Sequence, residues 1–281
     1  MCNSVPHLQP IDPPTQPEAL MTPSTFTPQP TADALLRAWR SGDLLQCLPA
    51  HLKPETLEQG YDAQDRLFST VGGQRVGWKL GVGSPADMHA GKLTRPLVGQ
   101  LDAARCHPSG VRVPLPALTP VTVECEVAFV LDRDVHPEPG RAPTADDIRA
   151  TCVTFEVVRS RFVDRKSVGW PSFVADNVGF EALVIGEHIC SGIDDRLLTE
   201  LAATAVVHLD GVPRARGLFG DAATDPMHSL AALYAHAAER GQVLRAGDIV
   251  STGAMCEPFD LVGTGHHVAV KYFDKELLFS V

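Results

Sequence analysis

Val123-Glu124-Cys125-Glu126-Val127-Ala128-Phe129-Val130 decides how this chain is read. Its β-branched and aromatic residues predict a strand, and the run Val127 to Leu131 has the continuous apolar character of a strand covered on both faces. Side chains two apart on a strand share a face, so Glu124 and Glu126 point the same way, about 7 Å apart at Cα, with Cys125 opposite. Carboxylates entering such apolar surroundings repel each other and lose hydration; they need a proton, a basic partner or a metal cation. A solvent-facing Glu-x-Glu is the competing reading of the pair taken alone. Further along, Val153-Thr154-Phe155-Glu156-Val157-Val158 repeats the pattern with a single acid in a β-branched strand. Three strand-borne carboxylates point to a hard divalent cation, and an all-oxygen donor set favours Mg²⁺ or Mn²⁺ over zinc.

A hydrophobic content of 44% in 281 residues supports a sizeable core, arranged as one large domain or two. The formal charge of −10 argues against nucleic acid or an anionic membrane as principal partner. No apolar run approaches the roughly 20 residues of a transmembrane helix. The first basic residue is Arg37, so no charged region precedes an apolar core as in a secretory signal. Seven scattered cysteines without a Cys-x-x-Cys suggest reduced thiols and a cytoplasmic location. Gly-x-Ser-x-Gly and His-Glu-x-x-His are absent, and the histidines lack ligand spacing.

Residues 1–30, with eight prolines among Thr, Gln and Ser, read as a disordered tail, and Met21 is an alternative start. Residues 31–75 read as a small helical region. Leu35, Leu36 and Trp39 mark one helix from Ala32 to Ser41-Gly42; Leu57, Tyr61, Gln64, Phe68 and Val71 mark a second, ending at Gly72-Gly73. Residues 76–281 read as a mainly β catalytic domain. Val76-Gly77-Trp78-Lys79-Leu80-Gly81-Val82-Gly83-Ser84 is a glycine-interrupted strand, in which Lys79 is either a snorkelling surface residue or a desolvated lysine able to move protons. Pro85 to Pro120 reads as loops and edge strands, and Thr144-x-x-Asp147 as the capping box of a short helix. The arginines of the mixed-charge loop, Arg159, Arg161 and Arg165, are either surface salt-bridge residues or binders of a substrate carboxylate. Asp176-Asn177 reads as a turn before the strand Ala182 to Gly186. Asp210-Gly211 is a hairpin turn, and Asp225-Pro226 opens a helix running to Arg240.

Six motifs in order resemble the fumarylacetoacetate hydrolase superfamily, in its 2-keto-4-pentenoate hydratase and 4-oxalocrotonate decarboxylase branch. They are Tyr61-x-x-Gln64, Gly77-Trp78-Lys79-Leu80-Gly81, Glu124-Cys125-Glu126 with the following apolar run to Asp134, Phe155-Glu156-Val157-Val158-x-Ser160-Arg161, Val174-Ala175-Asp176-Asn177, and Leu244-x-x-Gly247-Asp248-Ile249-Val250-x-Thr252-Gly253. The resemblance implies an α+β, mainly β fold, a mixed β-sandwich roll of the fumarylacetoacetate hydrolase C-terminal kind with the helices at its edge. It implies Glu124, Glu126 and Glu156 as ligands of Mg²⁺ or Mn²⁺, Lys79 and Asp176 as catalytic groups, and Asn177, Arg161 and Thr252 as substrate contacts. The Phe155-Glu156 segment matches this branch, whereas acylpyruvate hydrolases carry an aspartate in a Gly-Tyr-Thr type segment. Two departures stand out: Gly81-Val82-Gly83-Ser84 replaces Gly-Leu-Thr-Ser, and Val178-Gly179-Phe180-Glu181 replaces a serine-containing segment, which is expected to let Phe180 or Glu181 reshape the pocket.

The implied activity is metal-dependent hydration of a 2-hydroxydienoate to a 4-hydroxy-2-keto acid in aromatic-compound catabolism. The alternatives are decarboxylation of a 2-keto-3-enedioate, acylpyruvate hydrolysis, or a non-catalytic partner subunit of a decarboxylase. The resemblance further implies a homo-oligomer, alone or complexed with a decarboxylase, acting on a small 2-keto acid.

Overall fold

The structure is a computed structural model and describes residues 26–116 and 120–281. The proline-rich tail and the start at Met21 lie outside the described residues as far as residue 25. Pro28 to Pro30 belong to helix α1 (Pro28–Ser41), where proline suits the first turn because its missing N–H has no partner there anyway. Helix α2 (Leu57–Val71) follows, and both helices end at a left-handed glycine, Gly42 and Gly72, as the sequence predicts.

The remaining elements are β1 (Arg75–Gly81), α3 (Pro85–Gly91), β2 (Leu97–Asp102), β3 (Cys106–Pro108), β4 (Val121–Leu131), β5 (Ile148–Val158), α4 (Trp170–Ala175), β6 (Phe180–Ser191), α5 (Asp195–Thr204), β7 (Val206–Leu209), β8 (Val212–Arg216), α6 (Pro226–Glu239), β9 (Ile249–Ala254), β10 (Phe259–Leu261), β11 (His267–Tyr272) and β12 (Lys275–Ser280). An eight-stranded mixed sheet runs β2-β1-β9-β4-β5-β6-β3, with β10 also paired to β4; a four-stranded sheet runs β12-β11-β7-β8. The mainly β expectation holds. Tyr272 and Phe279 of the small sheet pack with Phe155 and Val153 of the large one in a single core, and nearly every residue of β4 and β5 is buried.

One helix goes against the sequence reading, and a second stands where no element was expected. Pro85–Gly91, expected as loop, forms α3 because Ser84 caps it, its hydroxyl accepting from the Asp87 N–H at 3.1 Å. Asp195–Thr204 forms α5, capped by Asp194. Thr144-x-x-Asp147 does form its reciprocal cap, but only over a single 3₁₀ turn, because β5 begins at Ile148.

The peripheral helices are pinned to the sheet by the first motif. Buried Gln64 donates to the carbonyls of Val98 at 3.0 Å and Val174 at 2.9 Å, and the Tyr61 hydroxyl accepts from the Val98 N–H at 3.1 Å. Helices α2 and α4 are thus tied to β2, next to the strand that carries Lys79.

Candidate metal and active site

Register brings the acids together. In the antiparallel β4/β5 pair Glu124 lies opposite Glu156, and Glu126 opposite Thr154, so two carboxylates face each other across the ladder with the third two residues away. Like charges directly opposite destabilise a sheet unless something offsets them. One oxygen from each of Glu124, Glu126 and Glu156 falls within a mutual distance of 4.8 Å, and Glu126 and Glu156 are wholly buried.

The offsetting groups are few. Glu126 Oε2 accepts from the Ser251 hydroxyl at 2.6 Å and from the Gly253 N–H at 2.9 Å, and Ser251 is in turn bonded to Thr154 at 2.9 Å. Lys79 Nζ, 2% exposed, lies 3.0 Å from Glu156 Oε1 and donates to the Val178 carbonyl at 3.1 Å. Glu126 Oε1 and Glu156 Oε2 have no hydrogen-bond partner among the described residues although both are buried, and Glu156 Oε1 has only the ion pair with Lys79. Burial, reinforced by Glu156 and Glu124, holds the Glu126 carboxyl well above the usual carboxylate range. Burial raises Glu156 to about 7, with Lys79 working against the rise.

Orphaned carboxylate oxygens at this density are the donor set of a hard cation. The three oxygens lie near enough to one another to converge on a single ion, and oxygen-only ligation suits Mg²⁺ or Mn²⁺. The three carboxylates therefore fit a divalent metal.

Glu124 and Lys79 line a cavity of about 310 Å³ whose other walls include Val82, Trp170, Phe173 and Val178. Three non-glycine residues here adopt left-handed backbone: Val82, Asn177 and Val178, with φ of 58°, 52° and 51°. For a β-branched residue that conformation is strained, and at Val178 it turns the carbonyl toward Lys79. Gly99 completes the arrangement, since a Cβ there would stand 2.8 Å from Cδ of Lys79.

Three expected substrate contacts, Arg161, Asn177 and Thr252, and one expected catalytic group, Asp176, are engaged with other protein groups. Arg161 is wholly buried: its Nε and one terminal nitrogen bond Asp176, and its other terminal nitrogen donates to the carbonyls of Arg159 at 2.9 Å and Phe180 at 3.0 Å. Asp176 also accepts from the Ser160 hydroxyl and the Arg161 N–H, both at 2.9 Å. Asn177 bonds the Gln100 backbone in both directions, at 2.8 and 2.9 Å. Thr252 donates to the Val127 carbonyl at 2.8 Å. None of the four is among the residues that line the cavity; their polar groups are bonded within the protein. Phe180 and Glu181, expected to reshape the pocket, do not line it either. Glu181 pairs with Arg105 at 2.6 Å and Arg159 at 2.9 Å, and Phe180 packs with Leu101 and Leu183.

Sequence reading missed Ser251, Thr154, Gly253 and Val178. Ser251 sat unremarked inside the last motif, and only the β4/β9 pairing shows that its hydroxyl reaches Glu126.

Comparison with known proteins agrees with this geometry. Residues 82–275 match the family described as fumarylacetoacetate (FAA) hydrolase C-terminal. A curated 2-keto-4-pentenoate hydratase from Burkholderia vietnamiensis (strain G4 / LMG 22486) is 34% identical over 194 residues, covering 67% of this chain and 71% of the hydratase. A 4-oxalocrotonate decarboxylase from Pseudomonas sp. (strain CF600) is 28% identical over 223 residues, covering 77% and 82%. Among solved structures, 4-oxalocrotonate decarboxylase from Pseudomonas putida G7, complexed with magnesium and adipate, superposes with a TM-score of 0.79 at 23% identity, covering 91% of this chain and 98% of that one. This last likeness establishes the fold. With a family match across most of its length and a curated relative above 30% identity, the chain belongs to the fumarylacetoacetate hydrolase C-terminal family.

Proposed function

We propose that this chain is a Mg²⁺- or Mn²⁺-dependent lyase that adds water to a 2-hydroxydienoate, giving a 4-hydroxy-2-keto acid. The observation that carries the reading is the buried lysine against three clustered carboxylates, two of them with unpartnered buried oxygens and the third, Glu124, lining a cavity together with Lys79. A curated hydratase at 34% identity supports the choice of reaction. When bound by Glu124, Glu126 and Glu156, a divalent cation supplies Lewis-acid polarisation of a carbonyl adjacent to a carboxylate.

The chain's own residues do the rest. Lys79 holds a proton beside the triad, its charge kept in place by Glu156 and its direction by the Val178 carbonyl. Ketonisation moves the enol proton to the far carbon of the diene; water then adds at C4 and a proton at C3. Lys79 is the group placed to take and return protons in these transfers. Ser251 and the Gly253 N–H fix Glu126 so that its other oxygen stays free. Val82, Trp170, Phe173 and Val178 give the hydrocarbon part of the substrate an apolar wall that limits competing water.

A freshly generated 2-hydroxydienoate mixed with the protein and Mg²⁺ should lose its conjugated absorbance and yield a 4-hydroxy-2-keto acid. No loss across a panel of chain lengths overturns the proposal. The curated decarboxylase relative supports a second reading, loss of carboxyl from a 2-keto-3-enedioate, which CO₂ release identifies. Among the described residues no helix is long and apolar enough to cross a membrane. We place the enzyme in the cytoplasm, where its free cysteines stay reduced, and as a homo-oligomer, with Phe219 and Val212 each 65% exposed as apolar surface for a neighbour. Light scattering showing a monomer would remove the oligomer.

A further inference from the structure

A second cavity, of about 480 Å³, shares no lining residue with the one that holds Lys79 and Glu124. It lies at the β3 edge of the large sheet, lined by Trp39 of α1, His107 of β3, Arg159 just past β5 and Glu181 of β6. Arg105 lines it too, and Val113, Pro114 and Leu115 add apolar surface.

Its polar groups are donors in excess. Arg159 is 1% exposed and makes one side-chain hydrogen bond, from Nε to Glu181 at 2.9 Å; its Nη1 is buried with no partner among the described residues. The indole N–H of Trp39 is buried and unpartnered in the same way. Two such donors on one cavity are costly unless an acceptor comes from outside the chain. Charge points in the same direction. Arg105, Arg159 and Arg161 have two carboxylates in ion-pair contact, Glu181 and Asp176, so three positive charges meet two negative ones. Asp102, capping the turn that carries Arg105, accepts instead from the N–H groups of Gln74 at 3.2 Å and Ala104 at 3.3 Å. Partial burial and the adjacent Arg105 push His107 below its usual pKa, so it is uncharged at neutral pH. The Trp39 ring, 4.1 Å from Arg105 and 4.9 Å from Arg161, attracts both cations but leaves the count unchanged.

We propose that this cavity is a second ligand site, for one small organic monocarboxylate. The carboxylate takes the Arg159 and Trp39 donors with Arg105 beside it, and the hydrocarbon body packs on residues 113–115. One negative charge balances the one left over, and a planar carboxylate matches a guanidinium fork. The apolar surface favours a body of carbon over inorganic phosphate. The site stands whatever the catalytic cavity binds.

The test uses the full chain, isotope-labelled at the indole nitrogens of Trp39, Trp78 and Trp170, whose signals are told apart with Trp39→Phe and Trp170→Phe variants. Benzoate is the probe, benzamide its uncharged counterpart and phosphate the inorganic anion. Benzoate should move the Trp39 signal saturably and bind about tenfold or more tighter than benzamide or phosphate, and Arg159→Gln should weaken it by a similar factor. A shift confined to Trp170, which lines the catalytic cavity, overturns the second site, as does a Trp39 signal that benzoate leaves unmoved. Benzamide binding as tightly as benzoate overturns the anion, and phosphate binding as tightly overturns the organic class. Should Arg159→Gln misfold, the three probes compared on the labelled, otherwise unaltered chain decide.

Discussion

Metal binding to the glutamate triad should release protons, and its affinity should rise with pH. The cause is the burial of Glu156, whose carboxyl is raised to about 7 with Lys79 the main group pulling it back. At pH 6 such a group is roughly nine-tenths protonated and at pH 8 roughly one-tenth, so its proton competes with the ion at the lower pH only. Glu156 alone then tightens binding about tenfold from pH 6 to pH 8, close to 1.4 kcal/mol, and Glu126, raised by the same burial, adds in the same direction. The metal-free protein shows the mirror image. A carboxyl raised in the folded state contributes stability below its unfolded value near 4.5, and that contribution fades as pH climbs through 7, by about 3 kcal/mol for Glu156. Added Mg²⁺ should restore most of it above pH 7. Calorimetry in two buffers of different ionisation enthalpy reads the protons, and thermal melts with and without Mg²⁺ read the stability. A Lys79→Met variant sharpens the experiment: removing the ammonium removes the influence that lowers Glu156, so the midpoint of the pH dependence moves up. Affinity that changes less than threefold between pH 6 and 8, with no buffer-dependent heat, refutes the reasoning, because Glu156 would then be ionised without the ion.

Three further outcomes follow from the geometry. Lys79→Met should lower kcat by about 10² to 10⁴ while Mg²⁺ still binds, measured by turnover and calorimetry together. Ser251→Ala leaves Glu126 Oε2 with the Gly253 N–H alone, and metal affinity should fall about 10- to 100-fold with the fold intact. Arg161→Met strands buried Asp176, so denaturant titration should show a loss of about 3 to 5 kcal/mol; a stable variant with a raised KM would instead restore Arg161 as a substrate contact.

How much of this was legible in the chain depends on the range of the interaction. The period-two face shared by Glu124 and Glu126 and the αL glycines after α1 and α2 are local, and the sequence alone determined them. So was the third acid's kinship to the pair, since an acid inside an apolar β-branched run is conspicuous wherever it sits. That Glu156 faces Glu124 across the ladder is a matter of register between separate strands, which only tertiary structure decides. The same holds for Ser251, brought to Glu126 by β9, and for Lys79, whose two readings were separated by its burial against Glu156. Asp176 and Arg161 show the limit most clearly. As isolated letters, an acid and a guanidinium suit a substrate as well as each other; packing placed them in contact and out of the cavity, because a buried charge is settled by its nearest partner.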